Sequence, residues 1–597
     1  MTSDQRSTRS LLLGIWGHLS QRRRVQLGVL LLVMLASGAA ELLSLGAVLP
    51  FLAVLTDVQG LWQQPLVQSL AAQVGITPAN QAPLILTVTL VFAAAAVLAA
   101  AVRLLNLRLN SRLAAAVGSD LSCEAYRRTL YQPYGVHVQR NSSTVITATS
   151  TQIELTVGAL NALLQLITSA VVAVGLFAGL LWIDASIALA LVGLFGSAYG
   201  VLALVMRREL RSNGIRIAEA YNQQLKALQE GLGAIRDVLL DGSQAAYLQI
   251  YRQADLPLRQ LQAKNQYLGA FPRYSLEGLG LVAIAFLGGA LVLQRSSGTA
   301  VVPLLGSLAL GAQRLLPALQ QMYAGWVVLK SSNASLSGAL AMLDQPMPDL
   351  TTVNSPLLLS QQLQFQSVCF RYAPGLPEVL KGLTLEIRPG ERIGLIGGTG
   401  SGKSTTVDLL MGLLAPTQGQ VLVDGQDLHD PQRPDLLSAW RASIAHVPQS
   451  IYLADSSIAE NIAFGVPRHQ IDQERVRRAA AQAQIASFIE ASPEGYNSFV
   501  GERGIRLSGG QRQRIGIARA LYKQAKVLVF DEATSALDNE TERAVMQAVD
   551  GLSREPTLVI IAHRLTTVAN CDRVIELNQG RIARVVSPSQ LGVSPST

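Results

Sequence analysis

Gly397-Gly398-Thr399-Gly400-Ser401-Gly402-Lys403-Ser404 has the spacing G-x-x-x-x-G-K-S. Glycines at those positions let consecutive backbone N–H groups turn toward one point. The lysine reaches the outer phosphates of a nucleotide, and the serine hydroxyl is a hard oxygen ligand for Mg2+. The stretch reads as a phosphate seat, with Lys403 directed at the β- and γ-phosphates and Ser404 at Mg2+. A second set is Lys526-Val527-Leu528-Val529-Phe530-Asp531-Glu532, an apolar run ending in two acids. Beside a phosphate loop, Asp531 is placed to hold Mg2+ through water and Glu532 to orient and deprotonate the attacking water. The same pair elsewhere would be a helix cap. A third set is Leu507-Ser508-Gly509-Gly510-Gln511, small residues opening a helix that carries Arg512, Arg514 and Arg519. A helix start of this kind is another anion seat. One chain cannot easily present two such seats to one nucleotide, so each is expected to meet the nucleotide of a second copy.

These residues need a scaffold. Arg392 to Ile396 reads as a buried strand feeding the glycine loop, and Thr405 to Leu414 as the helix that follows it. Leu363–Tyr372 and Leu383–Ile387 read as earlier strands, and strands alternate with helices to Arg584. The whole of this α/β region lies after Leu363.

The chain before it is different. Val25 to Leu343 carries nearly all the long apolar runs: 25–55, 83–102, 155–182, 187–206, 276–293 and 301–328. Each is long enough to span a membrane. The first follows Arg22, Arg23 and Arg24, and Ala36-Ser37-Gly38-Ala39-Ala40 could pass for a signal-peptide cleavage site. The apolar run continues past it, which favours an uncleaved span. Basic residues sort the connectors. Asp57–Ala82, the turn at Ile183-Asp184-Ala185 and the link Gln294–Ala300 are poor in Lys and Arg and are expected outside. The connector holding Arg103, Arg108, Arg112, Arg127, Arg128 and Arg140, and the stretch Arg207–Arg273, are basic and expected inside. Both termini then lie in the cytoplasm. The two inner connectors read as helical hairpins turning near Gln132-Pro133-Tyr134-Gly135 and Asp241-Gly242-Ser243. In the outer loop, Trp62, Leu66, Leu70 and Val74 mark a short amphipathic helix, lying on the membrane face or packed on neighbouring spans. Asp344 to Pro356, with three prolines, reads as a linker. The expected domains are residues 1–343, a linker at 344–360, and 361–597.

Composition agrees with this division. Across 597 residues, 49% are apolar and only 15% charged, too greasy for a soluble enzyme. The net charge of +8 sits between apolar runs, where topology explains it, so nucleic acid is set aside as a partner. Cys123, Cys369 and Cys571 are too far apart in sequence to indicate a disulfide framework or a metal site. Arg103, Arg273 and Arg314 stand near the inner ends of spans. They are either snorkelling topology residues or a basic cavity wall for a phosphate-bearing substrate. Glu277, one turn from Arg273, is placed to pair with it.

The domain after Leu363 resembles the nucleotide-binding domain of ATP-binding cassette transporters. The matching residues are Gly397–Ser404, Gln449 in Val447-Pro448-Gln449, Leu507–Gln511, Asp531-Glu532, Ser535-Ala536-Leu537-Asp538, and His563 in Ala562-His563-Arg564, six ordered motifs over about 230 residues. The resemblance implies a multi-domain fold: an all-α transmembrane domain of six helices, then an α/β P-loop ATPase domain. It implies ATP and Mg2+ as cofactors, and a phosphate seat extending to Thr405. It gives Tyr372 as the aromatic that stacks on adenine, Gln449 as a contact to Mg2+ and the attacking water, His563 as a γ-phosphate sensor, and Asp538 as a contact across a dimer. Val500-Gly501-Glu502-Arg503-Gly504 resembles the exporter-type segment that meets the membrane domain. One membrane set fused to one cassette is similar to a half-size exporter of a cytoplasmic membrane, which implies a homodimer. Shorter stretches are similar to bacterial lipid-linked oligosaccharide flippases: Pro272-Arg273-Tyr274 with Glu277-Gly278-Leu279-Gly280, Arg314-Leu315-Leu316-Pro317, and Gly46-Ala47-Val48-Leu49-Pro50-Phe51. They imply flipping of an anionic, pyrophosphate-linked glycolipid. A drug or lipid exporter of the same architecture, and an ATP-gated channel or regulator, are the other readings.

Overall fold

A computed structural model describes residues 7–46, 51, 82–183, 185–294, 301–347, 355–532, 540, 542–544, 547, 551, 556–562 and 564–591. The expected outer-loop helix at 61–80, the turn residue Asp184, the link 295–300 and the middle of the linker, 348–354, lie outside these. The chain divides into two compact units, Met1–Gln132 with Arg140–Met347, and Pro133–Gln139 with Pro348–Thr597.

In order, the first unit and the hairpin tip contain α1 Thr8–His18, α2 Gln21–Gly46, α3 Ala82–Leu130, α4 Tyr134–Gln139, α5 Ser142–Thr147, α6 Ile153–Ile183, α7 Ala185–Gly233, α8 Ile235–Leu240, α9 Gln244–Gln294, α10 Val301–Ser331 and α11 Asn333–Leu343. Six of these, α2, α3, α6, α7, α9 and α10, carry the six apolar runs. Three described windows, Gln21–Ala40, Ile85–Leu130 and Ser142–Ala178, are by length and composition apolar enough to cross a membrane. Helices α3 and α7 have 49 residues each and α9 has 51. At 1.5 Å per residue each runs about 75 Å, more than twice the ~30 Å hydrocarbon core. The extra length is the arms of the expected hairpins. Large apolar side chains stay exposed along the span segments, Val97 at 70% and Phe286 at 77% among them. Such a surface is stable against lipid and costly against water.

Two of the larger apolar clusters among the described residues join its helices. Leu11, Ile15, Leu30, Leu121, Leu336 and Leu340 join α1, α2, α3 and α11. Phe195, Tyr199, Leu268, Leu276, Tyr323 and Val327 join α7, α9 and α10. The start of the expected linker is not loose. His18 Nε2 lies 2.8 Å from Asp344. The side chain of Gln345 is buried, its carbonyl accepts from Arg128 at 2.8 Å, and its amide oxygen accepts from Arg140 at 2.7 Å.

The second unit carries two sheets. β1 Leu363–Phe370, β2 Leu380–Ile387, β4 Gln418–Val423 and β5 Gln426–Asp427 form an antiparallel sheet in the order β2-β1-β4-β5. β3 Arg392–Ile396, β6 Ile444–Val447, β7 Val527–Asp531, β8 Thr557–Ile561, β9 Arg573–Asn578 and β10 Arg581–Val586 form the other, ordered β10-β9-β3-β8-β7-β6. All its pairings are parallel except β9 with β10. β3, β7 and β8 are buried almost throughout, as parallel strands covered on both faces must be. The helices are α12 Lys403–Leu410, α13 Pro434–Ala442, α14 Ile458–Ile462, α15 Gln473–Gln482, α16 Ala486–Glu490 and α17 Gly509–Lys523. α12 is shorter than its expected span of 405–414, because Gly412 takes φ +66 and ends it. α12 and α13 pack with the sheets around the fully buried Trp440, whose indole N–H donates to Leu410 O at 2.7 Å. α14 to α17 pack in a separate cluster with Leu528 and Phe530.

Candidate functional site

The glycine loop leaves the carboxyl end of β3, where ligands collect on open α/β sheets. Gly397, Gly400 and Gly402 take φ of +146, +79 and +103. A Cβ on Gly397 would collide with the Leu577 carbonyl, and one on Gly402 would come within 2.7 Å of Leu380. Only glycine serves at both. Lys403 is 6% exposed, and its ammonium donates to the carbonyls of Gly397 at 2.8 Å and Gly398 at 3.1 Å. The charge is thus folded into the mouth of the loop. Ser404 is exposed beside it at the start of α12, while Thr405 is buried and its hydroxyl lies 3.1 Å from the Tyr372 hydroxyl. Ser401 Oγ is buried and has no hydrogen-bond partner among the described residues. Tyr372, Gly400, Glu378, Lys381 and Gln579 line a cavity of about 380 Å3. An aromatic face therefore opens next to the phosphate loop, the arrangement a purine nucleotide needs. Lys381 and Gln579 carry no motif and were not legible from the sequence.

Gln449 and Glu532 meet: the Gln449 amide donates to Glu532 Oε2 at 2.7 Å. Glu532 sits just past β7 at φ +49, a conformation unfavourable for a side-chain-bearing residue, with its N–H donating to Ile561 O at 3.1 Å. That strain turns the carboxylate at the strand end toward Gln449. Asp531 ends the strand itself, and its charge, after burial, helps push the Asp408 carboxyl on α12 up to about 6. A serine hydroxyl exposed at the start of α12 and a carboxylate at the end of β7 are oxygen donors of the kind a hard cation takes, so Ser404 and Asp531 fit Mg2+. Among the described residues no group of three His, Cys, Asp or Glu side chains could hold a metal alone. Mg2+ commonly uses one or two protein carboxylates and leaves the rest to phosphates and water.

The Ser508–Gln511 stretch opens α17. Ser508 Oγ accepts from Gln511 N at 3.2 Å, and Ser508 N donates to Gln511 Oε1 at 2.8 Å, a reciprocal cap. The next N–H groups point outward from an exposed start, as an anion seat requires. The arginines behind it do other work. Arg512 donates to Gly504 and Leu507 carbonyls, Arg514 to Gln484 O, and Arg519 to Tyr452 and Asn461 carbonyls. They tie α17 to its own subdomain. Leu507 packs with that cluster, whereas the helix after the phosphate loop packs with the other. Asp538 and His563 lie outside the described residues, as do Ser535, Ala536 and Leu537.

The first inner connector is expected to be a hairpin reaching toward a cytoplasmic domain, and its tip agrees with that. The hairpin tip α4 belongs to the second unit. Gln139 donates to Tyr372 O at 3.4 Å, and Tyr134 lies close enough to Asp408 and Tyr372 for their charges to raise its hydroxyl above its ordinary value, after burial. Nothing in the sequence of six residues signals such docking.

Residues 380–535 match the family model for the ABC transporter ATPase, and residues 43–311 match that for the ABC transporter transmembrane region. This chain belongs to the ABC transporter family. The protein named ATP-dependent lipid A-core flippase from Chromohalobacter salexigens is 33% identical over 77% of this chain and 79% of its own. That from Thiobacillus denitrificans is 31% identical over 73% and 75%. Multidrug resistance protein 4 of Entamoeba histolytica is 43% identical over 225 residues, 37% of this chain and 17% of its own. Among solved structures, a bacterial Atm1-family ABC exporter with ATP bound matches 96% of both chains at 26% identity and a TM-score of 0.74. The transporter is a membrane-spanning ABC exporter, and its cassette is an ATP hydrolase coupled to transport.

The three arginines of the membrane unit lie on three helices: Arg103 on α3, Arg273 on α9 and Arg314 on α10. Arg103 and Arg273 are exposed; the side chain of Arg314 is outside the described residues. Arg273 does not pair with Glu277 among the described residues. Its guanidinium lies 5.7 Å from the Tyr274 ring centre, and it is an electrostatic neighbour of Tyr199.

Proposed function

We propose that the transporter is an ATP-driven flippase for a glycolipid with an anionic head, a lipid-linked oligosaccharide or a related molecule. In this reading the ATPase domain is 361–597, joined through 344–360 to the transmembrane domain 1–343. Two copies clamp two nucleotides in an inner bacterial membrane, with both termini and the cassettes in the cytoplasm. Tyr372 stacks on adenine. The N–H groups of Gly397 to Thr405 and the ammonium of Lys403 hold the phosphates. Leu507 to Gln511 and Asp538 of each copy close on the nucleotide held by the other. Mg2+ at Ser404, Gln449 and Asp531 would spread the phosphate charge. Glu532 takes a proton from the attacking water, Gln449 holds that water in line, and His563 contacts the γ-phosphate. Cassette closure pulls on the hairpin tips and turns the membrane cavity outward; hydrolysis resets it.

The observation that carries the ATP half is the Gln449–Glu532 contact, next to a strained backbone at the end of β7, in the same sheet as the phosphate-loop strand β3. The cargo half rests on relatives named for a lipid A-core flippase, and on Arg103, Arg273 and Arg314 at the inner ends of spans. Proteoliposomes with ATP should move a lipid-pyrophosphate oligosaccharide or another anionic glycolipid. Arg273→Ala and Arg314→Ala should slow that movement several-fold more than basal ATPase. Equal transport by these variants and the parent would remove the anionic cavity. ATPase stimulation by uncharged amphiphiles alone would favour a multidrug exporter, and ATP-gated ion current without cargo movement a channel.

A further inference from the structure

A groove of about 350 Å3 runs between α2 and α3, at the end of the two spans that the basic residues assign to the cytoplasm. Its floor is Leu30 and Leu113, both buried, and its walls include Val29, half-exposed, and Leu109. Arg23 and Arg112 stand in the same lining. Arg23 is already engaged: Nε donates to Asp120 at 2.7 Å and Nη1 to Gln26 at 2.9 Å. Arg112 is exposed and makes no hydrogen bond or ion pair among the described residues. Arg108, one turn away, is exposed as well. Among the described residues Arg24 donates only to the neutral carbonyls of Trp16 and Gly17, which leave its charge uncancelled. Trp16 is 41% exposed on α1.

An apolar slot continuous with a lipid-facing surface, ending in unpaired guanidinium charge where a span meets the cytoplasm, has the two-part chemistry of one ligand. We propose that this groove holds a resident anionic phospholipid of the inner leaflet. Its phosphate is bound by Arg112 and its acyl chain lies over Leu30, Leu109 and Leu113. A guanidinium pairs with a phosphate through parallel N–H donors, and the anionic inner leaflet supplies the headgroups. The Arg23–Asp120 pair sets the strength of the site, since the carboxylate withholds a second guanidinium and repels the phosphate. The site is separate from the arginines proposed to face cargo.

The test uses the full-length transporter reconstituted in equal phosphatidylglycerol and phosphatidylcholine, extracted in mild detergent and examined by native mass spectrometry. The parent should retain phosphatidylglycerol preferentially. Arg112→Ala should lower that retention about fivefold, the factor expected for one cation at an anionic surface, and leave phosphatidylcholine unchanged. Arg112→Lys should keep part of it. Asp120→Asn frees Arg23 and should raise retention, which gives an arm of opposite sign should Arg112→Ala not fold. Inorganic phosphate should not displace the lipid. Equal phosphatidylglycerol retention across all these proteins, displacement by free phosphate, or a groove that binds no lipid because a second copy of the chain covers it would overturn the proposal.

Discussion

Lys403, Glu532 and Gln449 show how residue type and backbone shape act together. The lysine is useful only because its glycine loop curls, and the glutamate because its φ of +49 swings it toward Gln449. Glu532→Gln keeps the amide contact but loses the proton acceptor. ATP turnover should fall by at least about 100-fold with nucleotide affinity retained, which single-turnover assays and equilibrium binding would show. Lys403→Ala should instead lose affinity. His446 on β6 offers a pH test outside the chemistry. Burial holds its imidazole below the ordinary 6.5, and its Nε2 is buried without a partner among the described residues. The unfolded chain therefore binds the proton more readily. Stability is present above the unfolded value and lost as pH falls through the folded one. Thermal melts from pH 7.5 down to 5 should show a declining midpoint, and His446→Leu should flatten that slope. His429, lowered by burial in the same way, adds to the residual, and Asp408, raised to about 6, opposes it. The phosphate loop and Asp531-Glu532 were legible because they are contiguous and typed by chemistry. Lys381, Gln579 and Asp408 were not, because burial and neighbours that only folding supplies make them part of the site.

At the scale of elements, β3 and β7 were legible as short apolar runs, and the six long helices as longer ones. Their ends were harder to read. A single glycine at 412 stopped α12 early, and the linker proved anchored at Asp344 and Gln345 because a neutral glutamine can bury where partners wait. The break between α5 and α6 gave no signal either. Residues Ala148–Gln152 form a π-helical turn, and Gln152 is buried with its Oε1 unpaired against Gly338 of α11. A Cβ on Gly338 would fall on that amide. Glycine to alanine in a helix normally stabilises by roughly 1 kcal/mol. Here the sign should invert, with a loss of about 1–3 kcal/mol from overpacking. A lower melting temperature for Gly338→Ala, restored by adding Gln152→Ala, would confirm the contact; an unchanged or raised one would contradict it. Trp440→Ala, removing a fully buried indole and its hydrogen bond, should cost about 3–5 kcal/mol in the cassette.

For the whole molecule, the division into a greasy first half and a soluble second half was visible in composition before any motif was used. The hairpin reaching toward a cytoplasmic domain was legible as well, but the contacts of its tip α4 in the second unit were not, because docking is a property of two surfaces and the sequence shows them one at a time. The same limit applies to the second copy. Ser508, the proposed anion seat, caps a helix in one core cluster, while Lys403 opens a helix in another. The account stands on those two seats closing on one nucleotide from different chains. The direct measurement puts cysteines at Thr399 and Ser508, with Cys123, Cys369 and Cys571 replaced, in a Glu532→Gln background. An oxidative cross-link that appears only with Mg-ATP, at twice the 63.7 kDa chain mass, is the predicted result. A cross-link within single chains, or one between chains that ignores ATP, would contradict it.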